Sequence, residues 1–155
     1  KDFDASIADF DSTLNLAPDM TLAYLGRAGS LTQRAYMVRQ QHDENTDEAK
    51  GQMNLAAVRH DLQMAIVDLD KALELSPRLV YAWFNKGNIY YSLGDYTSAL
   101  ECYNRALELR SDFPEAYYNR GLTYLSLGNR ESGRADLSRA GELGILPSYS
   151  LLKRI

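Results

Sequence analysis

One cysteine, four prolines, one tryptophan, and only four Val and five Ile stand among 155 residues. Cys102 alone can close no internal disulfide and supply no thiolate zinc cluster. The few β-branched residues, six Thr included, face 23 Leu and 17 Ala, a bias toward straight-chain helix formers that predicts an all-α chain. No run of 18 apolar residues occurs and no basic-apolar-small leader follows Lys1, so nothing in these residues inserts into a membrane or directs secretion. Basic clusters are missing as well: 17 Lys and Arg against 21 Asp and Glu give a net charge of -4, which makes nucleic acid an unexpected partner. The ten glycines stand singly, so no loop cradles phosphate, and no cofactor is expected.

What the chain has is punctuation and period. Pro18, Pro77, Pro114 and Pro147 divide stretches with helical spacing of apolar residues. A shift of 34 residues lays Trp83 on Tyr117, Asn85 on Asn119, Gly87 on Gly121, Tyr90 on Tyr124, Leu93-Gly94 on Leu127-Gly128 and Ala106 on Ala140. Each unit reads as helix, tight turn, helix: Tyr81 to Leu93, Gly94 as the left-handed turn residue, Asp95 as a cap, then Tyr96 to Leu109. Gly87 is expected to face Ala99 and Ala106, with Trp83, Tyr90 and Tyr103 around that contact.

These residues resemble the tetratricopeptide repeat, whose W-x2-L-G-x2-Y, A-x3-F, P pattern stands here as Trp83, Lys86, Gly87, Tyr90, Ala99, Tyr103 and Ala106. It returns as Tyr117, Arg120, Gly121, Tyr124, Leu137 and Ala140. Lys86 and Arg120 replace the usual Leu, Ser111 stands where Pro often sits, and Gly133 replaces the Ala matched by Ala99. The resemblance implies a right-handed α-solenoid of antiparallel helix pairs. Its frame cuts the chain into the second helix of a truncated repeat at 1–18, a repeat with an insertion at 19–77, repeats at 78–111 and 112–145, and a capping segment at 146–155. The interval from Leu31 to Ala65 is 34 residues where Tyr90 to Ala99 is 9, so the insertion is 25 residues. Apolar spacing continues through it, which predicts two lengthened helices, Thr21 to Gln41 and Asp47 to Leu75, joined by a solvated acidic turn.

The resemblance also implies a concave surface, lined by the first helices, that holds an extended peptide or a partner helix. The positions projecting there are Tyr81, Phe84, Asn85, Asn88 and Tyr91, then Tyr118, Asn119 and Leu122. A carboxamide can donate to and accept from any peptide backbone, so Asn85 and Asn119, one repeat apart, suit sequence-independent holding. Family members that clamp the acidic ends of heat-shock chaperones use Lys and Asn, then Asn, then Lys and Arg. Only Asn85 matches, Leu25, Gly29, Glu115 and Asn119 filling the other places.

Other chemistry finds no constellation. Asp43 to Asp47 begins like a calcium loop, but Glu48 stands at the Gly position and Asn54 at the bidentate Glu position. His42 and His60 lack further ligands, and no metal is expected. Asp9, Asp11, Asp68, Asp70, Glu74, Glu101 and Glu108 are read as solvent-face charges paired with nearby Lys and Arg, and Cys102 as an inert thiol at a helix surface. No nucleophile stands beside a base, so catalysis is not expected. The expected role is a protein-interaction scaffold. Two alternatives are a self-assembly module, dimerising through an uncapped N-terminal face of Phe3, Ile7 and Phe10, and a docking arm of a larger enzyme or membrane-associated complex.

Overall fold

The structure, a computed structural model, describes the backbone of residues 2–43 and 48–155. The acidic turn up to Asp47 and the pairing of His42 with His60 lie outside the described residues. The described residues form helices and no strand, in two compact units, Lys1–Pro77 and Arg78–Ile155.

The first unit holds α1 (Phe3–Leu16), α2 (Thr21–Asp43) and α3 (Glu48–Leu75). Asp2 caps α1 by accepting a hydrogen bond from the Ala5 amide at 3.0 Å. The sequence frame has α2 and α3 starting and ending within two residues of these bounds, and the two helices pack along each other. Leu31, Ala35, Val58, Leu62, Ala65 and Leu69 are buried in this unit. Between α1 and α2 the Phe10 ring covers Gly26, leaving no room for a Cβ there, and Ser6 Oγ meets Ser30 Oγ at 3.0 Å. The Phe10 ring is thus engaged within the unit, and Phe3, Ile7 and Phe10 are each half-buried. The stripe it shares with Phe3, Ile7 and Leu14 at helical spacing leaves Ala5, Ala8, Asp9 and Ser12 as the exposed side of α1.

Two arginines of α2 bind this unit into a charged lattice. Arg27 donates Nε and Nη2 to the two carboxylate oxygens of Asp68 in α3 at 2.9 and 2.6 Å, and Nη1 to Asp11 of α1 at 2.7 Å. Seven residues on, Arg34 grips Asp61 through Nε and Nη2 at 2.8 and 2.7 Å and reaches Asp4 with Nη1. Asp68 is only 1% exposed, so its expected place on a solvent face is corrected. The reason is chemical: a bidentate guanidinium satisfies the carboxylate well enough to carry it inside. Donation to Asp68, opposed by burial, raises the pKa of Arg27, and donation to Asp61 does the same for Arg34.

The second unit holds α4 (Val80–Leu93), α5 (Tyr96–Leu109), α6 (Pro114–Ser126), α7 (Arg130–Glu142) and α8 (Pro147–Leu152). Its turns repeat one geometry. Gly94 and Gly128 sit at φ 81° and 79°, and the residue after each donates five back, Asp95 to the Tyr90 carbonyl and Asn129 to that of Tyr124. Asp95 and Asn129 then cap α5 and α7 by accepting from the Ser98 and Ser132 amides, both at 3.1 Å.

Small residues set the helix spacing. A Cβ on Gly87 would stand 2.7 Å from Tyr103 Cε1, so the atoms nearest this glycine belong to the tyrosine ring expected around the contact. Gly121 and Gly133 back onto each other's carbonyl oxygens, each at 3.1 Å from the other's would-be Cβ, and Leu125 fills the space at Gly133. The helix propensity lost at Gly133, about 1 kcal/mol relative to Ala, is thus the condition of a closer α6–α7 approach. Cys102 is buried at 3% exposure, correcting its surface assignment: it occupies the repeat position of Asp68 and Asp136, which points into the helix pair.

Candidate functional site

In residues 78–155 the first helices of the two repeats, α4 and α6, lie side by side, and the eight groove positions fall on them. Tyr81 is 61% exposed, with its ring edge-on to Phe113 at 5.4 Å and its hydroxyl accepting from Arg110 Nη1 at 2.9 Å. Asn85 is exposed. Asn88, Tyr91, Tyr118, Asn119 and Leu122 are half-buried. Tyr91 packs on Tyr96 of α5, their centroids 5.3 Å apart. Phe84 belongs with the interior: it lies 4.7 Å from Phe113 and 6.0 Å from Tyr103, against the cluster of Ala106, Leu107, Phe113 and Ala116.

The centre of the face is a fixed carboxamide pair. Asn88 Oδ1 accepts from the Tyr103 hydroxyl at 2.8 Å and from Asn119 Nδ2 at 2.7 Å. Tyr103 is itself 1% exposed, so the anchor of this network is rigid. With both bonds made, Asn88 keeps its amide hydrogens and Asn119 its carbonyl oxygen, one donor and one acceptor held across two helices. That set matches the C=O and N–H of an extended peptide. Sequence spacing pairs Asn119 with Asn85, its repeat equivalent, whereas the structure pairs it with Asn88.

A second column runs beside this face at the position where Leu is usual. Arg120 donates Nε and Nη2 to Asp136 at 2.6 and 2.9 Å and Nη1 to Asn104 at 2.6 Å, so one side chain ties α5, α6 and α7. Burial lowers its pKa, yet the bonds to Asp136 outweigh that and the net shift is upward. The guanidinium also lies 5.5 Å from the Tyr117 ring and 5.9 Å from Tyr124, and Lys86 sits 5.5 and 5.7 Å from Trp83 and Tyr90. The cations at the Leu position are therefore framework, not groove.

Sequence spacing missed Arg110. Its counterparts one repeat away are Ser76 and Gly144, so the 34-residue frame gives no signal for it. Among the described residues no three His, Cys, Asp or Glu could hold a metal, and no helix is long and apolar enough to cross a membrane.

Paired antiparallel helices at a 34-residue period, with glycine contacts inside each pair and the first helices forming one face, define a helical-repeat protein. Family profiles described as tetratricopeptide or TPR repeat match residues 69–101, 87–128 and 114–143, so residues 69–143 are tetratricopeptide repeats. Such repeats serve as protein-interaction scaffolds and are generally not catalytic. No curated protein matches the sequence. Among solved structures, MamA of MSR-1 shares the fold at 18% identity and TM-score 0.68, covering 91% of this chain and 67% of its own. The first TPR of Spaghetti (RPAP3), bound to an HSP90 peptide, is 20% identical at TM-score 0.58, covering 79% of this chain and 90% of that one. YrrB, a TPR protein with an unusual peptide-binding site, is 20% identical at TM-score 0.56, covering 97% and 84%.

Proposed function

We propose that residues 78–155 hold an extended peptide segment of a partner protein along the face of α4 and α6. The observation that carries this reading is the 2.7 Å bond from Asn119 Nδ2 to Asn88 Oδ1, which leaves the Asn88 amide hydrogens and the Asn119 side-chain oxygen as donor and acceptor on two neighbouring helices. Exposed Asn85 adds a third adaptable carboxamide, and Tyr81, Tyr91 and Tyr118 provide amphipathic walls that lose little entropy on contact. Two solved structures of similar fold support the reading, one bound to an HSP90 peptide and one described as having an unusual peptide-binding site. Phe84 serves it indirectly, holding α4 against the Phe113 cluster.

The test is selection from a displayed library of extended peptides. Selected peptides should lose about tenfold or more in affinity on the double change Asn85→Ala and Asn119→Ala, the size of one or two lost hydrogen bonds. Helicity by circular dichroism should stay unchanged. Peptides that bind the double variant as tightly as the parent would place binding elsewhere.

A further inference from the structure

We propose that Arg110, held by Tyr81 and Phe113, is a carboxylate-binding subsite beside the α4–α6 face, so that the partner segment carries an acidic group in register with Tyr81. This rests on the peptide reading above and adds the chemistry of one contact.

The arginines of residues 78–155 differ in what holds them. Arg120 is chelated by Asp136, while Arg105 and Arg139 pair with Glu108 and Glu142 three residues on, at 2.8 and 2.9 Å. Arg110 is held by aromatic rings. Its guanidinium lies 3.8 Å from the Phe113 centroid and 5.3 Å from that of Tyr81, whose hydroxyl fixes Nη1. Its one carboxylate neighbour, Asp112, stands 3.9 Å from Nε, beyond hydrogen-bond reach, on a side chain 80% exposed. Nε itself is shut off from solvent with no hydrogen-bond partner. The group is thus fixed in place, one-third open to solvent, and not neutralised at close range.

A guanidinium already immobilised on aromatic faces gives up little freedom when an anion docks, which removes a main cost of an exposed ion pair. With Nη1 on Tyr81 and Nε shut off, Nη2 is the donor left for a docking anion, and one such contact suits a carboxylate, whereas phosphate recognition generally draws on a cluster of arginines. Taken whole, residues 78–155 hold ten Lys and Arg against eight Asp and Glu, while residues 1–77 hold seven against thirteen. Because the Tyr81 hydroxyl touches Arg110 and its ring belongs to the peptide face, an acid seated on Arg110 would have its backbone pass the Asn88–Asn119 pair.

The experiment measures peptides from the library selection in matched forms: Glu-containing with an amidated end, Gln-containing with a free C-terminal acid, and Gln-containing with an amidated end. Carboxylate-bearing forms should bind about tenfold tighter than the neutral form, and whichever of the first two does so identifies side chain or terminus as the source. Arg110→Gln should abolish that preference. Tyr81→Phe, which keeps the ring and frees the guanidinium, should reduce it while the fold stands. A preference unchanged in Arg110→Gln, or absent in the parent, overturns the subsite and leaves the peptide reading intact. If no peptide binds, the peptide reading fails, and the subsite is decided by titrating N-acetylglutamate against the Arg110 Nε–H and Phe113 ring signals in NMR. A saturable shift confined to those signals and Tyr81 supports it, and unmoved signals overturn it.

Discussion

Residues 1–77 and 78–155 put a cation at the same repeat position and surround it differently. Arg27, Lys86 and Arg120 are equivalent in the 34-residue frame once the insertion is removed, and so are Asp68, Cys102 and Asp136. In the first unit Arg27 lies between two carboxylates, and the pattern is copied one heptad along: Asp4, Arg34 and Asp61 are each seven residues from Asp11, Arg27 and Asp68. In the second unit Arg120 has one carboxylate, one carboxamide and two tyrosine rings. The positions of Arg34 and Asp61 correspond there to Leu93 and Asp95, which flank the turn glycine. A seven-residue offset returns to nearly the same helix face, so lengthening the hairpin repeated its clamp without inventing a new one. The long pair carries two such clamps around its apolar core, and the short pair α6–α7 carries one beside its aromatic and glycine contacts.

The largest expected effect breaks the charged side of this contrast. Asp68→Ala strands Arg27 in a partly closed site and should cost about 3–5 kcal/mol, whereas Asp11→Ala, which removes a half-exposed carboxylate, should cost about 1 kcal/mol or less. Urea unfolding followed by circular dichroism reads both, and equal losses would mean that the two arms of the clamp are not distinguished by burial. Because donation to Asp68 raises the Arg27 pKa, the arginine's contribution is fully present below its ordinary pKa and would fade only as pH rises through the raised one. The Asp68→Ala loss should therefore be the same at about pH 7 and pH 10.

Next comes glycine. Gly87→Ala drives a methyl into the buried Tyr103 ring and should cost about 1–3 kcal/mol, while Gly29→Ala, where nothing lies within 4 Å, should add up to about 1 kcal/mol through helix propensity. The only tryptophan, Trp83, makes its fluorescence a monitor of the second unit for the Gly87 change. A neutral Gly87→Ala would show that Tyr103 can move aside. Asn88→Ala should cost about 1–2 kcal/mol by removing the carboxamide oxygen that accepts from both Tyr103 and Asn119, with Asn88→Asp recovering part of it by still accepting the tyrosine hydrogen.

Much of this was legible because repeats print themselves twice. The helix–turn–helix frame, Gly94 and Gly128 as turn residues and Asp95 as a cap follow from a 34-residue shift. Pairings that cross helices did not. Asp68 reads as one more acidic residue at helical spacing, and only its bidentate bonds to Arg27, 41 residues away, reveal it as buried. Asn119 reads as the twin of Asn85 but bonds Asn88, since neighbouring first helices meet with an offset that linear spacing does not encode. Arg110 has no equivalent in adjacent repeats, so a method that looks for recurrence passes over it.

The smallest expected effect sharpens what separates the two halves. Both carry solvent-exposed pairs three residues apart, Lys71 with Glu74 in the first and Arg105 with Glu108 in the second, each at 2.8 Å. If surface charge made the first half electrostatic in character, Glu74→Gln would cost more than Glu108→Gln. Exposed pairs of this spacing contribute only about 0.3–0.5 kcal/mol wherever they stand, because water screens them and two long side chains must be held still. Both changes should therefore fall within about 0.5 kcal/mol of the parent, and within error of each other, in matched urea titrations. A clear excess for Glu74→Gln would move the distinction from the buried clamps Arg27–Asp68 and Arg34–Asp61 to the net negative surface of residues 1–77.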